Sequence, residues 1–203
     1  MKRMSHLVSA LALAALSTAA SAAATIYTSS AVFLAQLQPG AYTENFNGLD
    51  VDPPESYTNL LFTFTLSAPA GLYSAGEDVG TSQIDEPLTI SFTSGNVKAV
   101  GGNFFATNYP NDFQSVLISL LLSDGTSVDF TPATLADSYR GFVADTFITS
   151  LVISGPGQSR YATLDNLTVG TVPDVTTVPE PASLALVGLA FAGLAASRRR
   201  RAA

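Results

Sequence analysis

"LLFTFTL", residues 60–66, decides the fold class. Leu60, Phe62, Phe64 and Leu66 fall on one face of an extended chain, and Thr63 and Thr65 fall on the other. A helix of 3.6 residues per turn would scatter these positions, so the stretch reads as a half-buried strand. The same period of two continues outward. It returns at Leu88, Ile90 and Phe92 in "LTISFT", through Val97 to Thr107, and in "QSVLISLLL", "TSVDF", "YRGFVA", "FITSLVI" and "RYATLDNLTV". Asp124-Gly125, in "SDGT" between Leu122 and Val128, reads as a hairpin with a type I′ turn. Gly101-Gly102 interrupts its run and reads as a bulge or a bend at a sheet corner.

Helical periodicity is almost missing from this region. One short helix is expected at the start, in "AVFLAQL", with Ser29 or Ser30 as its cap. Val32, Phe33, Leu34 and Leu37 would form a small apolar face, and Pro39-Gly40 would end it. Thr25 to Gly170 is long enough for one domain with a real core and too short for two. Nine or so short strands separated by turn residues predict an all-β fold, an antiparallel β-sandwich of jelly-roll type. A parallel α/β fold would need helices between the strands.

The two ends of the chain have a different composition. Residues 1–24 read as a signal peptide, with Lys2 and Arg3 ahead of the apolar stretch Leu7 to Leu16. Small residues at 20–24 allow signal peptidase to cut after Ala22 or Ala24. Residues 171–178 read as an extended, proline-containing linker. Beyond it, Ala182 to Ala196 is apolar and spans roughly 22 Å as a helix, short of the ~30 Å hydrocarbon core. It can cross only with its flanks stretched, and Arg198, Arg199, Arg200 and Arg201 would hold its end in the cytoplasm. So short a transmembrane helix suits a handle that is gripped and removed.

Charge and composition exclude several functions. Of the 9 Lys and Arg residues, Lys2, Arg3 and the four terminal arginines belong to the targeting segments. Lys98, Arg140 and Arg160 remain against 16 acids, leaving a net charge of −13. Such a body repels phosphate backbones, so no nucleic-acid partner is expected. There is no Cys, and His6, the one histidine, lies in the signal peptide. This removes disulfides, Ser-His-Asp and Cys-His nucleophile pairs, and the usual zinc ligand sets. A Ser-Lys pair would have to use Lys98, in an ordinary strand-like run. Asp124-Gly125-Thr126 has the order of a turn and not that of an aspartic-protease triplet. The expectation is that the chain is not an enzyme.

Pro179-Glu180-Pro181, an immediate short apolar helix and the cluster Arg198 to Arg201 together resemble the PEP-CTERM sorting signal. The resemblance covers residues 179–203. It implies an exported protein of a Gram-negative, often biofilm-forming bacterium, held transiently in the inner membrane and recognised by an exosortase. It further implies a destination at the cell surface or in an exopolysaccharide matrix. The same tail is sometimes labelled an ice-binding protein C-terminal domain, which describes the tail and gives no warrant for ice binding. "ATIYTSSAVFLAQL", "YTENFNGL", "LSDGTSVDFTP" and "RYATLDNLTVG" also resemble a common class of PEP-CTERM ectodomains, which implies a sandwich and no particular activity.

Three functions fit the body. The first is a non-catalytic structural or binding sandwich of the surface or matrix. The second is a carbohydrate-binding module for exopolysaccharide, with Tyr57, Tyr109 and Phe113 in polar loops as candidate aromatic platforms. A structural calcium would accompany it, held by the carboxylates of Glu44 in "TENF" and Asp165 in "LDNLTV", if the first and last strands adjoin. Asn47, Asp50 or Asn166 would lie nearby, although no D-x-D-x-D-G loop is present. The third is a glycoside-processing enzyme, for which nothing in the spacing of Glu44, Glu55, Glu77 or Glu86 singles out an acid and a nucleophile.

Overall fold

Alternating side chains make strands here because each strand has one face to bury. In the computed structural model, which describes residues 23–173, Phe62, Phe64 and Leu66 are buried in one central cluster. Each such side chain contributes roughly 1.5–3 kcal/mol by leaving water. Leu60 differs from the reading above and is fully exposed. Asn59 explains it. Its side-chain oxygen accepts the backbone N–H groups of Leu61 and Phe62, at 2.9 and 2.7 Å, folding residues 59–62 into a tight turn before the alternation begins.

In chain order the elements are β1 (Thr25–Tyr27), α1 (Ser30–Leu34), β2 (Tyr42–Glu44), β3 (Ser56–Thr58), β4 (Thr63–Ser67), β5 (Leu72–Tyr73), β6 (Val79–Thr81) and β7 (Leu88–Phe92). There follow β8 (Ala99–Thr107), β9 (Phe113–Gln114), β10 (Ile118–Leu122), β11 (Ser127–Phe130), β12 (Tyr139–Val143), β13 (Ser150–Ile153) and β14 (Tyr161–Gly170). A 3-10 turn at Ala136–Ser138 leads into β12. An eight-stranded sheet runs β1-β12-β8-β14-β6-β5, with β2 also beside β14 and β9 beside β8. A six-stranded sheet runs β11-β10-β13-β7-β4-β3. From β6 to β8 and again from β12 to β14, successive strands alternate between the sheets, as in a jelly roll. The all-β antiparallel sandwich is therefore as expected, and its core lies between the sheets.

The two ends of the sandwich hold different parts of the chain. β14 leaves its sheet at Gly170, which pairs with Ala99 at the start of β8. Thr25 of β1 pairs with Val143 on the same edge, so the chain enters and leaves at one pole. The loops 59–62, 93–98 and 144–149 lie there too, because Phe64 pairs with Phe92 and Ser150 with Ser91. The opposite pole carries the loop 108–112 and the start of β14. At ~3.4 Å per residue along β8, the two poles are about 27 Å apart.

The Gly101-Gly102 interruption proves to be two things. Gly101 pairs in regular register with Gly141, and together they make a shallow seat on the outer face of the sheet. Phe33 of α1 fills it: a Cβ on Gly141 would lie 2.5 Å from the Phe33 ring and one on Gly101 2.9 Å from it. The expected bulge does exist, one strand over. Register slips between Asp165 and Thr168 of β14, and Asn166 takes a φ of +52°, beside Gly102.

Two local expectations change. The hairpin at Asp124-Gly125 forms, but Gly125 alone has a positive φ, where a type I′ turn needs two. Gly125 donates to the Leu122 carbonyl at 3.0 Å and Leu122 to the Thr126 carbonyl at 2.9 Å. This is a three-residue loop with glycine in the left-handed position. In α1, Ser29 precedes the helix without a side-chain cap, and only Phe33 is buried while Val32 and Leu34 face solvent. Five residues are too few to form a stripe, so the helix docks through one ring.

Candidate functional site

The outer face of the eight-stranded sheet is covered by α1 at the pole where the chain enters and leaves, and open at the opposite pole. The open part contains a cavity of about 250 Å³. Its floor is the backbone of Gly80 and the paired hydroxyls of Thr107 and Thr163, 3.0 Å apart. Side chains of period-two strands reach this face because Tyr73 pairs with Gly80, and Gly80 with Thr163. A Cβ on Gly80 would lie 2.9 Å from the Ala162 carbonyl, so glycine keeps the floor low.

Three tyrosines stand around that floor: Tyr73 of β5, Tyr161 at the start of β14, and Tyr109 in the loop after β8. Tyr109 is 88% exposed. Its loop is closed on itself, with Asn108 N–H donating to the Asp112 carbonyl and Asn108 Oδ1 accepting from Asp112 N–H. The loop contains a cis bond between Tyr109 and Pro110. Asn111, at a φ of +94°, anchors it by donating Nδ2 to both carboxylate oxygens of Asp78, at 3.1 and 3.4 Å.

Behind Asn111 lies an acidic group. Asp165 and Asp78 are the next residues beyond the paired Leu164 and Val79. Burial pushes the Asp165 carboxyl up to about 6; the Asn166 N–H opposes this, and the charges of Asp78 and Glu77 add to it. Burial also raises Asp78, against the stabilising bond from Asn111 and with help from Glu77.

The candidate residues named from the sequence separate clearly. β2 and β14 do adjoin, and Leu167 pairs with Glu44. Leu167 is in the core, so Glu44 lies on the inner face of the sheet. Asp165 pairs with Asn103 on the outer face. The two carboxylates thus stand on opposite sides of one sheet, and the structure does not bring them together. Glu44 instead accepts the Tyr42 hydroxyl and the Phe46 N–H. Burial, followed by the Glu44 charge, pushes the Tyr57 hydroxyl up to about 12. Among the described residues, no three acidic side chains group around a point where a metal ion could sit.

Of the three aromatics expected as platforms, Tyr109 alone lines the cavity. Tyr57 is buried in the core, and Phe113 packs against Phe105 with ring centroids 6.2 Å apart. Tyr73 and Tyr161 escape sequence reasoning because each sits at a strand end, where period two does not distinguish the inner face from the outer. Pro179, Glu180, Pro181, the arginines 198–201 and residues 1–22 of the expected signal peptide lie outside the described residues. Of the linker, residues 171–173 are described. No helix among the described residues is long and apolar enough to cross a membrane.

By fold this is an all-β sandwich protein. Residues 177–201 match the PEP-CTERM protein-sorting motif, which implies export, processing by an exosortase and transient anchoring in a membrane before release. No curated protein matches the chain. Two crystal structures of an exo-beta-1,3-galactanase from Phanerochaete chrysosporium are similar, one with beta-1,3-galactotriose and one with galactose. Each is 18% identical, with 73% of this chain covered, and TM-scores of 0.30 and 0.29. The chain spans 29% of the length of those proteins.

Proposed function

We propose that the sandwich is a non-catalytic module that binds a polysaccharide in the open groove, and that the exported protein resides at the cell surface or in an exopolysaccharide matrix. The observation that carries this is the trio Tyr73, Tyr109 and Tyr161 around a floor of threonine hydroxyls. Sugar rings present an apolar C–H face and a rim of hydroxyls, and a site with aromatic faces and neutral polar groups complements both. No carboxylate lines the cavity, and glycoside hydrolysis needs two flanking the scissile bond. The acidic body, with Asp78 directly behind Asn111 and Glu77 and Asp165 beside it, favours neutral or amino sugars over uronates.

Affinity electrophoresis of the released, processed protein through gels containing neutral, amino and acidic polysaccharides tests the reading. Retardation in a neutral or amino-sugar gel, lost in Tyr109→Ala, is the expected result. Equal mobility in every gel would overturn it and leave a purely structural sandwich.

A further inference from the structure

Both ends of the sandwich's chain emerge at one pole, and that pole carries exposed apolar side chains at its loop tips. Leu60 and Leu61 cap the turn between β3 and β4; Leu60 is fully exposed and Leu61 is 54% exposed. Phe147, 56% exposed, caps the loop between β12 and β13. These residues surround the point where the chain leaves. Lys98 Nζ lies 5.5 Å from the Phe147 ring centroid, and Lys98 N–H donates to the Gly170 carbonyl at 3.0 Å. Asn96 Nδ2 donates to the Leu61 carbonyl at 3.1 Å, and Gln38 N–H to the Thr171 carbonyl at 2.9 Å.

Large apolar side chains at loop tips cost solubility unless a surface covers them. The turn at 59–62 is held by the Asn59 bonds and by Asn59 N–H to the Phe62 carbonyl, so Leu60 and Leu61 are presented on a fixed support. The chain itself says which surface is near. Eight residues, 174–181, separate Pro173 from Ala182, where the apolar run of the sorting tail begins, and these nine steps of chain reach at most about 30 Å. Ala23, the first described residue, starts from the same pole. While the tail is anchored, this pole is the part of the body held next to the bilayer.

We infer that Leu60, Leu61 and Phe147 form a lipid-docking surface that seats the sandwich on the membrane while the sorting tail is anchored, with the groove turned outward about 27 Å away along β8. The contact is apolar. Asp124 and Asp145 lie at the same pole, in the turn between β10 and β11 and in the loop that carries Phe147, and the body is acidic throughout. Docking is therefore stronger on zwitterionic than on anionic bilayers. After the tail is removed, three side chains alone give a weak, reversible contact, so release follows cleavage.

The chain has no cysteine, so single-cysteine labels can be placed without background. The full-length precursor, with the tail intact, is reconstituted into phosphatidylcholine vesicles containing nitroxide-labelled lipid. An environment-sensitive fluorophore is attached at Leu61→Cys, Phe147→Cys or, on the opposite pole, Tyr109→Cys. The expected result is at least twofold quenching at 61 and 147 and none at 109. Quenching should decrease when phosphatidylglycerol replaces half of the lipid. Quenching at 61 should also fall when Leu60 and Phe147 are both changed to Ser; these two sites are exposed, so the fold is retained. Equal, weak quenching at all three sites would overturn the inference. Quenching at 61 that requires co-reconstituted exosortase would also overturn it, because the surface would then dock a protein. Neither result bears on the groove, whose test uses the released protein.

Discussion

Along the outer face of the eight-stranded sheet, the half beside the chain ends is covered and the other half is open. The covered half seats Phe33 over Gly101 and Gly141; the open half has Gly80, Thr107 and Thr163 beneath three tyrosines. Both halves use glycine to lower the sheet surface. In one, the space is filled by the chain's own ring, fully buried. In the other, the aromatic rings stand at the margins and the space between them is open. A glycine seat therefore does not by itself mark a binding site. What separates the two is whether the same chain supplies the occupant.

The strongest way to break this comparison is at Phe33. Phe33→Ala should cost about 3–5 kcal/mol, because it empties a fully buried site that glycine backbones cannot close. That corresponds to a fall in Tm of roughly 10 °C for a domain of this size, read by calorimetry. A loss below ~1 kcal/mol would mean that the helix is not part of the folded unit.

A smaller effect is expected at Asn111, which ties the groove loop to Asp78. Asn111→Ala leaves the buried Asp78 carboxylate without that donor and should cost about 1–3 kcal/mol. It should also weaken polysaccharide retention, since Tyr109 is on the same loop. Stability loss with full retention would separate the loop's anchoring from its binding role.

Asp165 sharpens the electrostatic side of the contrast. Its carboxyl is raised to about 6, so the folded state binds that proton more tightly than the unfolded chain does. Its contribution to stability is full below the ordinary carboxylate range and is lost as pH rises through about 6. Partial exposure limits the effect to about 1 kcal/mol. Asp165→Asn should be the more stable protein at pH 7–8, match the parent at pH 4, and flatten the pH profile between them. Neither protein's melting curve should respond to millimolar calcium, because Glu44 is on the other face. A calcium-dependent rise abolished in Asp165→Asn would reinstate a cation at this site.

Tyr73→Ala should have the smallest effect on stability, within about 0.5 kcal/mol, since the ring is at the open margin. Its effect should appear instead in retention on polysaccharide gels. A Tm change as large as that of Phe33→Ala would mean that the open half is a core in its own right.

The alternation of Phe62, Phe64 and Leu66, repeated in β7, β10 and β13, determined the all-β sandwich from the sequence alone. Period two is a local property, and every such strand needs a partner face. The sorting tail was equally legible, because Pro-Glu-Pro, an apolar run and arginines are contiguous and need no fold to be recognised. Only the tertiary structure decided which face each residue joins. Leu60 was lost from its strand to an Asn59 turn, and Glu44 and Asp165 were divided between two faces by the pairing of β2 with β14 and the bulge at Asn166. Tyr73, Tyr109 and Tyr161 are far apart in the chain and were brought together by the register of β5, β6, β8 and β14. Register is set by long-range hydrogen bonds and by a shared core, and a one-residue slip exchanges the faces. A site built across four strands is therefore fixed only when the sheet has closed.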